Sequence, residues 1–453
     1  RQVWRGPTTL QIGLDARHGT VLDGLTPGDR VLLRDLGSGV DEQDALTAPG
    51  RDTVRTREVL RLLTEAEVLI RTRAGRSAVA RLGPARDRLP DDARIWSVVH
   101  PEAGDGWELL AARSTRRVDV HGGGRLGTAL AATLAAAGVG SVPVRDRTPV
   151  RSADVAPAGP LPAEVGAGRG AAARSAVQRL DPGTAPGHPL DRSLDLDWSL
   201  DHDRVRDPGR DRTRRPDLVV LIDRGVADAS RADPLVAADI PHLSVVVAEA
   251  SVIVGPLVVP GRSPCLRCLD LHRTDNDPQW PRLLGQLLAA RGSGRPGGAG
   301  PEETASAGLA EALAALQVLG HLDGLHLAAL RTGGSYHDGR HPDGRHPDGG
   351  HPEGRHPGRR PPDGRGQDVP FPAGRRIGGG TDPTDLPERP GPAALGTTIE
   401  VALPDGLTAP RTWTGHPGCG CRWPSAVAGS GPSRSAPSVS GPRRSRREGT
   451  MIR

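Results

Sequence analysis

Val118 to Asp146 reads VDVHGGGRLGTALAATLAAAGVGSVPVRD, and the reading of this stretch decides the fold. Val118 to His121 is a short β-prone run. Gly122, Gly124 and Gly127 fit G-x-G-x-x-G. Thr128 to Ala137 is rich in alanine, and Leu126, Leu130 and Leu134 recur at helical spacing. Gly138-Val139-Gly140 ends that helix, and Val142 and Val144 alternate into Asp146. Strand, glycine turn, helix and second strand make one βαβ nucleotide-binding unit. Its glycines permit a tight turn and close approach to a phosphate, and the helix N-terminus offers unpaired N–H groups to an anion. Asp146, at the end of the second strand, is placed to accept hydrogen bonds from a ribose.

Outward from this unit the composition is unusual. The 453 residues suffice for two or three domains. Hydrophobic residues make up 36%, and 61 Gly and 44 Pro imply that much of the length is linker. Aromatics are only 2%, so cores must be built from Val, Leu, Ile and Ala. All 59 basic residues are arginine, which removes lysine-dependent chemistry. The net charge of +5 is not concentrated in the folded segments, so nucleic acid is not an expected partner. No apolar run reaches the ~18–20 residues that span a bilayer, and no membrane partner is expected. The chain opens on Arg1 with no signal-peptide pattern, and a cytoplasmic location is the expectation.

Residues 1–75 read as a small separate domain. Leu10, Ile12 and Leu14 alternate as a strand with Val21-Leu22 as a partner, and Val31 to Leu36 suggests a short helix. Thr53 to Ile70 is a clearer helix with a broad apolar face. Such a mixture fits a winged-helix-like module, which can bind a peptide by strand addition, or a plain dimerisation domain. Residues 76–117 form a connector. Residues 118–331 form the nucleotide-binding domain, with a second helix from Gly168 to Leu180 and a charged surface insertion at 181–216. Leu218 to Ile222 (LVVLI) is a buried parallel strand ending at Asp223, and strands follow at Ile240 to Val247 and Ser251 to Val259. Gly308 to Leu322 is a helix. Residues 332–392 are expected to be a disordered loop, with the repeat HPDGR-HPDGG-HPEGR-HPGRR from His341 to Arg360. Pro and Gly at every step of that repeat prevent a fixed metal site. Thr397 to Leu403 returns to strand, within a C-terminal segment at 393–424, and residues 425–453 form a disordered tail.

The four cysteines fall in two tight pairs, Cys265-x-x-Cys268 and Cys419-x-Cys421. Each spacing lets two thiolates reach one ion, and together they supply the Cys₄ set of a structural zinc site. The alternatives are free buried cysteines or a redox pair. A Cys₄ zinc ion would tie the C-terminal segment to the central domain and leave no cysteine as a nucleophile.

These residues resemble the ThiF family of ubiquitin-activating-enzyme-like adenylyltransferases. The resemblance rests on GGGRLG, AAAGVG leading into VPVRD, ADVAPAGPLPAEVGAGR, DLVVLID, and CLRC paired with CGC. Within that family, TTLQIGL and SPCLRCLDLHRTDNDPQWP look most like leader-peptide-binding proteins of azole-forming ribosomal peptide systems. The resemblance implies an α/β fold: a Rossmann-like ThiF-type parallel-sheet domain, an N-terminal winged-helix-like domain and a Cys₄ zinc site. It also implies ATP and Mg²⁺ as cofactors. Carried over by position, Gly122, Gly124 and Gly127 face the phosphates, Asp146 holds the ribose, Arg169 stands where the family has lysine, and Asp223 is the magnesium-side acid. The family's Asn-x-x-Arg-Gln stretch is replaced by DVAPAG at Asp154 to Gly159, and Arg224 stands where the family usually has Asn. Implied partners are a precursor peptide leader or small carrier protein, a YcaO-type cyclodehydratase, and a second copy in a homodimer.

Two functions compete on this sequence. One is a scaffold that binds a precursor leader for a YcaO-type enzyme. The other is an adenylyltransferase that activates a peptide or carrier-protein carboxylate with ATP. A nicotinamide-dependent oxidoreductase could use the same glycine turn, but no hydride-acceptor site accompanies it.

Overall fold

The computed structural model describes residues 2–14, 18–70, 75–180, 215–292, 302–331, 375–376 and 392–421. Most of the insertion at 181–216, nearly all of the 332–392 loop with its histidine repeat, and the tail at 425–453 lie outside these residues.

The N-terminal region combines a small sheet with helices. Strands β1 (Gln2–Trp4), β2 (Leu10–Ile12) and β3 (Thr20–Leu22) pair antiparallel in that order. Helices α1 (Pro27–Ser38), α2 (Glu42–Thr47) and α3 (Thr53–Glu65) cover the sheet. Thr26 and Asp29 cap α1 reciprocally, each side chain accepting the other's backbone N–H, with Pro27 at the first turn. Leu10, Leu22, Leu32, Leu33, Val59 and Leu63 form a core of their own. The helix expected from Thr53 to Ile70 ends five residues early. Glu67 takes φ +58°, and the Val68 N–H turns back to the Leu63 carbonyl at 3.1 Å, closing a Schellman-type cap. Val68 and Leu69 then pack on the same core that α3 serves.

Residues 75–113 are helical: α4 (Gly75–Arg81), α5 (Pro90–Val99) and α6 (Trp107–Arg113). The central sheet follows. Its elements are β4 (Val118–His121), α7 (Gly124–Ala136), β5 (Val144–Arg145), α8 (Arg169–Leu180), β6 (Leu218–Arg224), α9 (Ala229–Ala237), β7 (His242–Val247) and β8 (Ser251–Val258). Then come α10 (Leu266–Asn276), α11 (Trp280–Gly292) and α12 (Thr304–Arg331), the short strand β9 (Arg375–Arg376), and β10 (Thr397–Ala402) and β11 (Thr408–Thr412). β9 joins the N-terminal sheet, pairing parallel with β3.

The seven strands lie in the order β11-β10-β8-β7-β6-β4-β5. β5, β4, β6 and β7 are parallel, as expected of a Rossmann-like unit. β8, β10 and β11 extend the sheet antiparallel. The change of direction has a simple cause. Only Ala248 to Ala250 separate β7 from β8, too few residues for the crossover that parallel pairing requires. The order places a topological switch between β4 and β6, where α/β sheets bind ligands at their C-terminal ends.

Helix α12 is longer than the Gly308 to Leu322 stretch read from periodicity. Glu303 starts it, its carboxylate accepting the N–H groups of Ala305 and Ser306. By length and composition this helix could cross a membrane. Here its Ala307, Ala310, Ala314, Val318 and Leu322 lie in the main core with β4, β6, β7, β8 and α7. Arg113 of α6 pairs with Asp323 of α12 through a bidentate contact, Nε to Oδ1 at 2.7 Å, with both side chains fully buried.

Candidate functional site

The glycine turn has the geometry that its spacing predicts. Gly122 and Gly124 have φ of +125° and +79°, a region open to glycine and strained for other residues. At Gly127 an added Cβ would lie 2.0 Å from the Gly122 carbonyl oxygen, so α7 can approach β4 this closely only with glycine there. The turn lies at the C-terminal end of β4, at the sheet's switch point.

The charged groups around it are bound to one another. Asp146 accepts the Gly123 N–H at 2.8 Å through Oδ2 and the Thr148 N–H and hydroxyl through Oδ1. Burial pushes its pKa up, but these bonds and the nearby Arg169 charge outweigh burial and hold it below the usual value. Arg169 forms a two-point contact with Asp154, Nε and Nη2 each at 2.8 Å, and its Nη1 reaches Thr148 and Asp146. Its side chain lies over the turn: a Cβ on Gly123 would sit 2.7 Å from the Arg169 Cβ. Arg224 pairs with Glu302 at 2.7 Å, and Arg125 donates to the Glu302 and Ala153 carbonyls and the Thr304 hydroxyl. Arg169 is thus balanced by Asp154 and Asp146 and Arg224 by Glu302, while Arg125 is held by backbone carbonyls and a hydroxyl.

Asp223 is the next-to-last residue of β6, one short of its end at Arg224, and is 4% exposed. It accepts the Asp228 N–H at 3.1 Å and forms an ion pair with Arg231. Arg231 also donates to the carbonyls of Ile222 and His121. The acid proposed from the sequence for magnesium is therefore engaged by a cation of the same chain.

The four cysteines converge although they come from distant parts of the sequence. Cys265 caps α10 and Cys268 lies in its first turn, while Cys419 and Cys421 arrive from the segment after β11. The Sγ separations are 3.7 Å for Cys265–Cys268, 3.5 Å for Cys265–Cys419 and 3.5 Å for Cys268–Cys421. Zinc–sulfur bonds of about 2.3 Å place tetrahedral sulfurs about 3.8 Å apart, so the arrangement fits a Cys₄ ion with little adjustment. The Cys268 thiol is lowered, first by its hydrogen bond with Cys265 and, against burial, by the backbone of His416. Zn²⁺ bound here would supply structural cross-linking, with no open position for chemistry.

Among the residues singled out in the sequence, the structure brings Gly122, Gly124, Gly127, Asp146 and Arg169 together at one turn, with Asp223 at the neighbouring strand end. It gathers Cys265, Cys268, Cys419 and Cys421 at a second centre. Sequence reasoning did not identify Asp154 or Glu302 as counter-charges, nor Arg231 as the partner of Asp223. Asp154 sits in DVAPAG, where departure from the family's pattern was the available signal.

No protein-family model matches the chain, and no curated protein matches it. Among solved structures, PaaA is similar at 12% identity, with a TM-score of 0.52 over 91% of this chain and 98% of that one. MccB of E. coli, solved with MccA, aligns at 13% identity and a TM-score of 0.49 over 92% of this chain and 98% of its own. Another structure of MccB, with ATP, gives a TM-score of 0.48. At 12% identity the likeness to PaaA speaks for the fold alone. With the glycine turn, the strand order and the paired cysteine knuckles in place, the chain has a ThiF-like fold.

Proposed function

We propose that this chain is a ThiF-like scaffold. In this reading residues 1–75 bind the leader of a ribosomal precursor peptide, residues 76–117 connect them to the ThiF-like domain, and the whole presents the peptide to a YcaO-type azole-forming cyclodehydratase. The observation that carries the reading is the closed charge balance over the glycine turn. Adenylation requires fixed positive charge and metal-holding acids aimed at the phosphates. Here Arg169 is committed to Asp154 and Asp146, Arg224 to Glu302, and Asp223 to Arg231. Arg375–Arg376 pairs parallel with the edge of β3, so a leader strand added there would take the place of this segment. The YcaO-type partner and a homodimer rest on the sequence resemblance. A Cys₄ zinc ion would anchor the C-terminal segment.

The second reading is an ATP-dependent adenylyltransferase acting on a peptide or carrier-protein carboxylate. The positive φ angles of Gly122 and Gly124 and the placement of Asp146 beside the turn favour it. Gly122, Gly124, Gly127 and Arg169 would then face phosphates, Asp146 the ribose, and Asp223 Mg²⁺. ATP–pyrophosphate exchange separates the two. The scaffold reading expects no exchange above background, with or without peptide. Exchange that Asp146→Ala abolishes would establish the enzyme instead. Fluorescence anisotropy with a labelled leader from an azole-forming precursor tests the peptide arm. Binding should require residues 1–75, and binding retained after their deletion would remove that role.

A further inference from the structure

Beside the cysteine centre lies a second group of ligand-type side chains. His272 and Asp275 stand one turn apart on α10, and His416 lies three residues before Cys419. Their ring nitrogens and carboxylate oxygen all fall within 4.8 Å of one another. Two histidines and a carboxylate at this spacing would suit a second divalent cation.

The hydrogen bonds point elsewhere. His416 Nδ1 accepts the Gly418 N–H at 3.0 Å, so in the neutral ring the proton sits on Nε2. That nitrogen faces Asp275 Oδ2 at 2.8 Å and donates to it. His272 Nε2 lies 3.0 Å from the Thr414 carbonyl, which can only accept. A cation on His416 Nε2 would displace the sole ring proton while the other nitrogen still accepts a backbone hydrogen. The ring is arranged to be held by Asp275, not to bind metal.

What the ring holds in turn is the C-terminal knuckle. The His416 carbonyl accepts the Cys419 N–H at 2.9 Å. Its Nδ1 fixes Gly418. Its ring also meets His272 edge to face, with centroids 4.8 Å apart. His416 therefore touches the Cys419–Cys421 knuckle and, through Asp275 and His272, the helix that carries Cys268.

We propose that His416, held by Asp275 and packed on His272, is a positioning residue of the Cys₄ centre: it sets the Cys419–Cys421 knuckle against Cys265 and Cys268 before metal arrives. This rests on the reading of the four cysteines as a metal site. Outer-shell partners of this kind commonly alter metal affinity by about 10–100-fold. The test is to load the full chain with Co²⁺ and record metal content, the thiolate-to-cobalt absorption and the rate of metal loss to a chelator. Wild type, His416→Ala, His416→Asn and Asp275→Asn are compared. One equivalent per chain is expected throughout, with the absorption of a four-thiolate site. Metal loss should quicken about 10–100-fold in His416→Ala. It should quicken less in Asp275→Asn, and in His416→Asn, whose side-chain oxygen can still accept the Gly418 N–H. Unchanged loss in His416→Ala would overturn the proposal while leaving the Cys₄ reading intact. Two equivalents in wild type and one in His416→Ala would overturn it in favour of a second cation site. No metal in wild type would overturn the Cys₄ reading itself.

Discussion

The glycine turn and the cysteine knuckle both gather ligand-type side chains from separate segments, yet they are finished in opposite ways. At the turn three of the gathered charges meet an opposite charge from the same chain: Arg169 with Asp154, Arg224 with Glu302, Asp223 with Arg231. At the knuckle all four gathered groups are thiols, with Sγ atoms 3.5–3.7 Å apart. Deprotonated, four thiolates would repel one another, and their spacing suits a single cation from outside. Residue type alone does not make a binding site. A site that is already neutral has less to offer a charged ligand than one that is still one ion short.

The largest effect should come from the knuckle. Chelation, or Cys268→Ser, should release the metal, cost several kcal/mol and free the segment carrying β10 and β11. Hydrogen exchange across Thr397–Thr412 and the melting temperature would register this; unchanged values would mean that the cysteines hold no structural ion. At the turn, Asp154→Asn should cost about 3–5 kcal/mol in urea unfolding, because it leaves the Arg169 charge buried without its main partner. The same variant should gain affinity for inorganic pyrophosphate, since it opens the charge balance. A stability loss without any anion affinity would show that the turn is closed by shape as well as by charge.

A smaller effect is expected with pH, from three buried histidines. Burial pushes His121, His242 and His321 down to about 4 from an ordinary value of 6.5. Below 6.5 the unfolded chain takes up protons that the folded chain refuses. Stability from these histidines is therefore complete above pH 6.5 and declines as pH falls toward 4. Urea midpoints at pH 7.5 and 5.0 should differ in that direction, with zinc held constant because acid also competes for thiolates. A midpoint that rises on acidification would contradict the buried, neutral assignment.

Much of this was legible in the chain. The period of Leu126, Leu130 and Leu134 and the spacing of Gly122, Gly124 and Gly127 gave the βαβ unit, because both signals are local. The cysteine pairs were legible because each pair is a local unit, although what joins them is not. What the sequence concealed depends on distance or on direction. Asp154 and Arg169 could be seen as residues, but not as a two-point ion pair. Arg113 and Asp323, far apart in the chain, meet through the packing of α6 on α12. The turn at Glu67 shortened a helix whose Leu69, expected on its apolar face, still packs half-buried on the core, with Val68 beside it. Periodicity put Leu69 on the core side but did not show how the backbone brought it there.

The central claim is that the glycine turn is closed by the chain's own charges. Calorimetric titration of the zinc-loaded protein with Mg-ATP, beside an Asp146→Ala control, tests it most directly. The account predicts no saturable binding in either protein. Tight binding by the wild-type chain that disappears in the control would contradict it and make this protein an ATP-using member of its fold.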